Sequence, residues 1–177
     1  EAARMALMEA LELGRRLNYD LVIASALAEL GRVEIYLGNA ARAVEFLTES
    51  QQIFERVDFK RDIVKGLGNL GRALIDIGDL PRTIDLCEQS VKLAETNGSI
   101  PLINFNSGHL ALALLLSGDF ERAEMVIERA FQQSVAYNNA HIATLKGIIA
   151  LQRNANAEAE SAFERATHNA EQHLGGE

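Results

Sequence analysis

Tryptophan is absent from this chain, cysteine occurs once and proline twice. The lone Cys87 forbids an internal disulfide and fits a reducing compartment, which points to a cytoplasmic protein. Its neighbours Ile84, Leu86 and Val91 mark it as a packed thiol. With so little proline and no Ser/Gly-rich run, the sequence offers no linker or disordered tail. Aromatics make up only 6%, yet hydrophobic residues reach 48%, enough to fill a core. The longest apolar run, Leu110 to Leu116, is far too short to cross a bilayer, so no membrane partner is expected. No leader pattern of basic, apolar and small residues opens the chain, and the start at Glu1 is expected to mark a fragment or processed product. Basic residues are outnumbered 17 to 25, giving a net charge of −8, which argues against nucleic acid as the partner of this segment. P-loop, His-Glu-x-x-His, Cys-x-x-Cys and nucleophile-elbow patterns are all missing, so no residues carry an enzyme reading. His168 and His173, five apart, fall on different helix faces and make a poor metal pair, and no metal or cofactor is expected.

What the sequence does contain is itself, again, every 40 residues. Leu27-Ala-Glu-Leu-Gly-Arg32 returns as Leu67-Gly-Asn-Leu-Gly-Arg72. Leu37-Gly-Asn-Ala40 returns as Ile77-Gly-Asp-Leu80 and as Ser117-Gly-Asp-Phe120. A period of this size signals a solenoid, whose units bury their apolar faces only against neighbours. Each unit has two helical halves. Leu27, Leu30 and Leu37 form one amphipathic stripe, and Val44, Leu47, Ile53, Phe54 and Val57 form another. Strict two-residue alternation is absent, so the chain reads as all-α.

Punctuation falls where the repeat requires it. Within units the breaks lie at Gly38, Gly78, Gly118 and Asn154; between units they lie at Asn18, Asp58, Gly98 and Asn138. Glycine or asparagine can take the left-handed conformation that ends a helix, and the following Asn39, Asp79, Ser99 or Asp119 can cap the next. Pro81 and Pro101 then sit in first turns, where a missing N–H costs nothing. First helices are expected at 20–37, 60–77, 100–117 and 140–153, and second helices at 41–57, 81–97, 121–137 and 157–173. Residues 1–17 match a second helix, giving full repeats at 18–57, 58–97 and 98–137 and a shorter, polar capping repeat at 138–177. Together, 1–177 reads as one solenoid, the C-terminal end of a longer protein.

These residues resemble the tetratricopeptide repeat (TPR) family, whose signature is Leu-Gly in the first helix and a small residue followed four later by a bulky one in the second. Here the first pair reads Leu30-Gly31, Leu70-Gly71, Leu110-Ala111 and Lys146-Gly147. The second reads Ala43/Leu47, Thr83/Cys87, Ala123/Ile127 and Ala159/Phe163, with a further small residue at Ser50, Ser90, Ala130 and Ala166. The family's Trp position instead holds Leu27, Leu67, Ser107 and Ala143, and its Tyr position holds Glu34, Leu74, Leu114 and Ala150. The resemblance implies a right-handed superhelical solenoid of antiparallel helix pairs. Long, Trp-free repeats of this kind are similar to the C-terminal sensors of bacterial STAND-type signal-transduction ATPases and regulators. Any ATPase activity would then reside in a module N-terminal to this segment. A non-switching scaffold or adaptor is the competing reading.

In this family one face of each first helix lines a concave groove. Carried over, that face holds Ser25, Glu29, Arg32 and Tyr36, then Lys65, Asn69, Arg72 and Asp76, then Phe105, His109, Leu112 and Leu116, and finally His141, Leu145 and Ile148. The groove would be polar and basic at one end and apolar at the other, and would take a protein, peptide or small effector. Arg32 and Arg72 recur one unit apart, where a carboxylate or phosphate can bridge them. Equally, each can pair with Glu29 or Asp76. Of the Lys/Asn/Arg set by which chaperone-binding members clamp a peptide carboxylate, only Asn69 is present. Glu34, at a half-buried family position, requires a partner that spacing does not identify. Leu7 and Leu11 are expected to be exposed at the N-terminal end and to permit self-association there.

Overall fold

The computed structural model describes residues 2–133 and 140–174. Among them run nine helices: α1 (Ala2–Arg16), α2 (Asp20–Tyr36), α3 (Ala40–Arg56), α4 (Lys60–Asp76), α5 (Leu80–Thr96), α6 (Ile100–Leu116), α7 (Phe120–Gln133), α8 (Ala140–Gln152) and α9 (Asn156–Leu174). The first helices of the pairs begin where expected, at Asp20, Lys60, Ile100 and Ala140. The second helices begin one residue earlier than expected. The expected break at Asn138 and the end of the helix expected at 121–137 lie outside the described residues. No described helix is long and apolar enough to cross a membrane.

The helices stop for a common reason. Gly38, Gly78, Gly98 and Gly118 have positive φ, and Asn18, Asp58 and Asn154 take the same conformation with φ of 51°, 51° and 58°. At the end of α2, Gly38 N–H donates to Ile35 O and Asn39 N–H to Glu34 O, the paired bonds of a Schellman cap. The same pair closes α1 through Asn18 and Tyr19, α3 through Asp58 and Phe59, and α8 through Asn154 and Ala155. Helix starts are less uniform than the sequence suggests. Asp119 Oδ1 accepts from Arg122 N–H at 3.2 Å, and Asp79 Oδ1 from Arg82 N–H at 3.4 Å. Asn39 and Ser99 make no side-chain cap. The Asn39 amide instead donates through Nδ2 to the Glu34 carboxylate at 2.7 Å, a charge-assisted hydrogen bond.

The chain divides into two compact units, one running to Ser90 and the other beginning at Val91. In the first unit, Leu11, Ile23, Leu27, Leu30, Ile53 and Phe54 form one buried cluster, and Ala43, Leu47, Leu70, Ala73 and Leu74 form a second. The small-and-bulky pairing has a direct geometric basis. A methyl added at Gly31 would lie 2.5 Å from Leu47 Cγ, and one at Gly71 would lie 2.6 Å from Cys87 Sγ. The helices therefore touch through the missing side chain. Ser50 and Ser90, both fully packed, donate their hydroxyls to Ala24 O and Val64 O at 2.8 Å, which satisfies them without lengthening the contact.

In the second unit, α6 packs on α7 and α8, and α8 on α9. Its core includes Ile103, Leu110, Leu114, Ile127, Ile142, Leu145 and Ile149. Gly147 repeats the close approach, with a methyl there falling 2.6 Å from the Phe163 ring.

Candidate functional site

Within the first unit, the spacing of three residues along α2 and the packing of α2 beside α4 bring Glu29, Arg32 and Lys65 together. Ser25 and Tyr36 are exposed, and Glu29, Arg32 and Lys65 are half-buried. Glu29 is the centre of this group: it accepts from Arg32 at 2.7 Å within α2 and pairs with Lys65 of α4 at 3.6 Å. Burial pulls the Arg32 guanidinium down, but the adjoining Glu29 carboxylate and Tyr36 outweigh it and leave Arg32 above its ordinary value. Further along, Arg72 pairs with Asp76 on the same helix, and Asn69 is buried. Of the two arrangements open to Arg32 and Arg72, the structure shows each paired with its own helix's carboxylate.

The same face carries a cavity of about 380 Å³ between α1 and α2. Leu7, Ala10, Tyr19, Leu21, Val22 and Ala26 supply apolar walls, while Ser25 and Glu29 bring it to the charged row. An apolar recess therefore adjoins two of the residues expected to line a groove, Ser25 and Glu29. The repeat register gives Tyr19, Leu21 and Val22 no role, so the recess is not among the expectations from sequence. A run of large residues at the first turn of α2 was the available signal.

Glu34 finds its partners in the same unit. Its carboxylate has no solvent exposure and lies 2.9 Å from Arg4 Nε of α1 and 3.8 Å from Arg42 Nε of α3, and accepts from Asn39 Nδ2 at 2.7 Å. Leu11 is buried and Leu7 half-buried, contrary to the expectation of exposure, because α1 turns both toward α2. The outward face of α1 carries Met5, Met8 and Leu13 instead.

In the second unit, Phe105 and His109 meet edge-on with ring centres 4.6 Å apart, and His141 lies 6.4 Å from His109. Phe105 and His141 are exposed, Leu112 and Leu116 are half-buried and exposed respectively, and His109 is buried. Leu145, expected on the same face, is a core residue; Ile148 is exposed. Among the described residues no group of three His, Cys, Asp or Glu could hold a metal.

No protein-family model and no curated protein matches this chain. Solved structures do. The Rap conjugation gene regulator of plasmid pLS20, solved with the Phr* peptide, superposes with a TM-score of 0.78 at 15% identity, over 97% of this chain and 49% of its own. BtubC from P. vanneervenii gives 0.75 at 17% identity, over 97% of this chain and 74% of its own. TPR-like repeats of a kinesin light chain-type protein from Podosopora anserina give 0.73 at 16% identity, over 96% and 86%. At such identities the likeness is one of fold, and that fold is an all-α solenoid of TPR-type helical repeats.

Proposed function

We propose that this chain is a binding module which receives an extended segment of a protein or peptide along the α2–α4 face of its first unit. The observation that carries the reading is the adjoining of an apolar recess to a row of charges through Ser25 and Glu29. A recess takes a side chain, and a charged row fixes register and direction. Phe105, His109, Leu112 and His141 give the second unit a face of its own with aromatic and apolar character. The pLS20 regulator, solved with a peptide, supports this class of ligand. In this reading the module binds and does not catalyse. It serves in the cytoplasm as the C-terminal sensor of a larger signal-transduction ATPase or transcription regulator, where occupancy of the face favours one state of an attached switch.

Peptides selected from a displayed random library on the full chain, with affinities then measured by fluorescence anisotropy, test the binding face. Filling the recess with Ser25→Trp should abolish capture of the selected peptides, and equal capture by wild type and Ser25→Trp rejects the site. Arg32→Ala combined with Arg72→Ala should narrow the preference for acidic over neutral peptides at low salt; an unchanged preference removes these two residues from the face. The sensor role is tested by the reading frame upstream of Glu1, where a G-x-x-x-x-G-K-[ST] segment is expected and further repeats alone would favour an adaptor.

A further inference from the structure

The second unit holds a separate cavity of about 210 Å³ between α7, α8 and α9, lined by none of the face residues named above. Its chemistry begins with the spacing on α9. Glu158, Ser161, Ala162 and Arg165 follow at intervals of three, one and three, which places them on one side of that helix. Facing them are Phe131 of α7 and Ala143 and Lys146 of α8. The Phe131 ring is shared by two cations: Arg165 lies 4.5 Å from its centre and Lys146 Nζ 4.8 Å. Such a pairing places two positive charges around one small space. Lys146 is answered by Glu128 at 2.7 Å, and Glu158 reaches it only at 3.9 Å. Among the described residues Arg165 has no carboxylate partner; its contact is the aromatic ring.

The cavity therefore offers a guanidinium turned to an aromatic ring, a hydroxyl beside it, a carboxylate loosely held by a lysine already matched elsewhere, and small apolar walls. We propose that it binds a free α-amino acid. The ligand carboxylate takes the Arg165 guanidinium and the Ser161 hydroxyl, the ammonium takes Glu158, and an aliphatic side chain lies against Ala143, Ala162 and the Phe131 ring. Each wall excludes an alternative. Glu158 repels a dianion such as phosphate, and the two cations repel a simple amine. The volume is below the ~300 Å³ at which drug-sized pockets begin, so the ligand is metabolite-sized. Only a compact zwitterion meets all three charges at once, and a peptide terminus supplies one charge or the other but never both.

The test is titration of the full chain with L-valine, N-acetyl-L-valine and L-valinamide, followed by ¹H–¹⁵N correlation spectra. Valine should shift α7–α9 resonances saturably, with the two derivatives weaker by about tenfold or more, the effect of losing one charged hydrogen bond. Arg165→Gln should weaken valine by a similar factor, and Glu158→Gln should do so while narrowing the gap to N-acetylvaline. Both side chains are solvent-accessible, so circular dichroism of both variants should match wild type. Equal binding of valine and N-acetylvaline, wild-type affinity in Arg165→Gln, or no saturable shift in α7–α9 would each overturn the assignment.

Discussion

Replacing Glu34 by alanine removes a carboxylate that has no solvent exposure and joins three helices through Arg4, Asn39 and Arg42. The size of the loss follows from its parts. A hydrogen bond to a charged group is worth about 1.5–3 kcal/mol, and the one buried methylene lost, Cγ, adds roughly 0.8 kcal/mol. The full penalty of breaking a sealed ion pair, about 3–5 kcal/mol, does not apply. Arg4 and Arg42 are 36% and 46% exposed, so both can turn to water once the carboxylate is gone. The net loss should be about 3 kcal/mol. It should also be local, because in a repeat array each element is held by its neighbours and α1 rests on α2. Hydrogen exchange read by mass spectrometry should show the amides of α1 exchanging about a hundredfold faster, with α7 unchanged. Glu34→Leu, which fills the space without a charge to desolvate, should lose about half as much. Unaltered protection of α1 in Glu34→Ala would refute the assignment of Glu34 as the tie between these helices.

Two further outcomes follow from packing. Burial pushes the Cys87 thiol up from 9.0 to about 12, so the native chain keeps a proton that the unfolded chain releases between those values. Stability is then whole below pH 9 and falls as pH rises through the window, by up to about 1.4 kcal/mol per pH unit, and urea unfolding of Cys87→Ala should show a flatter decline there than wild type. Gly31→Ala drives a methyl into Leu47 Cγ and should cost about 1–3 kcal/mol in thermal melts. Gly66→Ala meets only the movable end of Gln51 and gains about 1 kcal/mol of helix propensity, so it should be neutral or stabilising; equal losses at the two glycines would contradict the close-approach argument.

The helices were legible because their ends are written in backbone chemistry. Residues at Asn18, Gly38, Asp58, Gly78, Gly98, Gly118 and Asn154 tolerate the left-handed conformation, and every one of them adopts it. The contact residues were legible for a related reason: Gly31, Gly71 and Gly147 each face the bulky residue that the repeat register pairs with them. Partnerships between side chains obey no such register. Arg4 has Val44 as its counterpart in the next unit, so nothing in the repeat announces that it reaches Glu34. Leu145 stands where the register has Glu29, Asn69 and His109, on the face expected to be open, and its apolar character takes it into the core instead. Repetition specifies what every unit must do, and function is carried by what one unit does alone.

That distinction bears on how the α2–α4 face would bind. Its cations are already matched, Arg32 and Lys65 by Glu29 and Arg72 by Asp76, and these pairs are partly exposed. Pairs of that kind are worth about 0–1 kcal/mol, so a ligand carboxylate that displaces one exchanges a weak contact for another of similar strength. The charged row can therefore choose between partners and set their direction, while contributing little net affinity. Affinity has to come from the recess beside it, where a single buried leucine-sized side chain supplies about 1.5–3 kcal/mol. A partner chosen by this face should consequently keep most of its affinity as salt rises, and should lose it when its apolar anchor is truncated. Discrimination and strength are placed on different residues of one surface, and Ser25 and Glu29 are where the two meet.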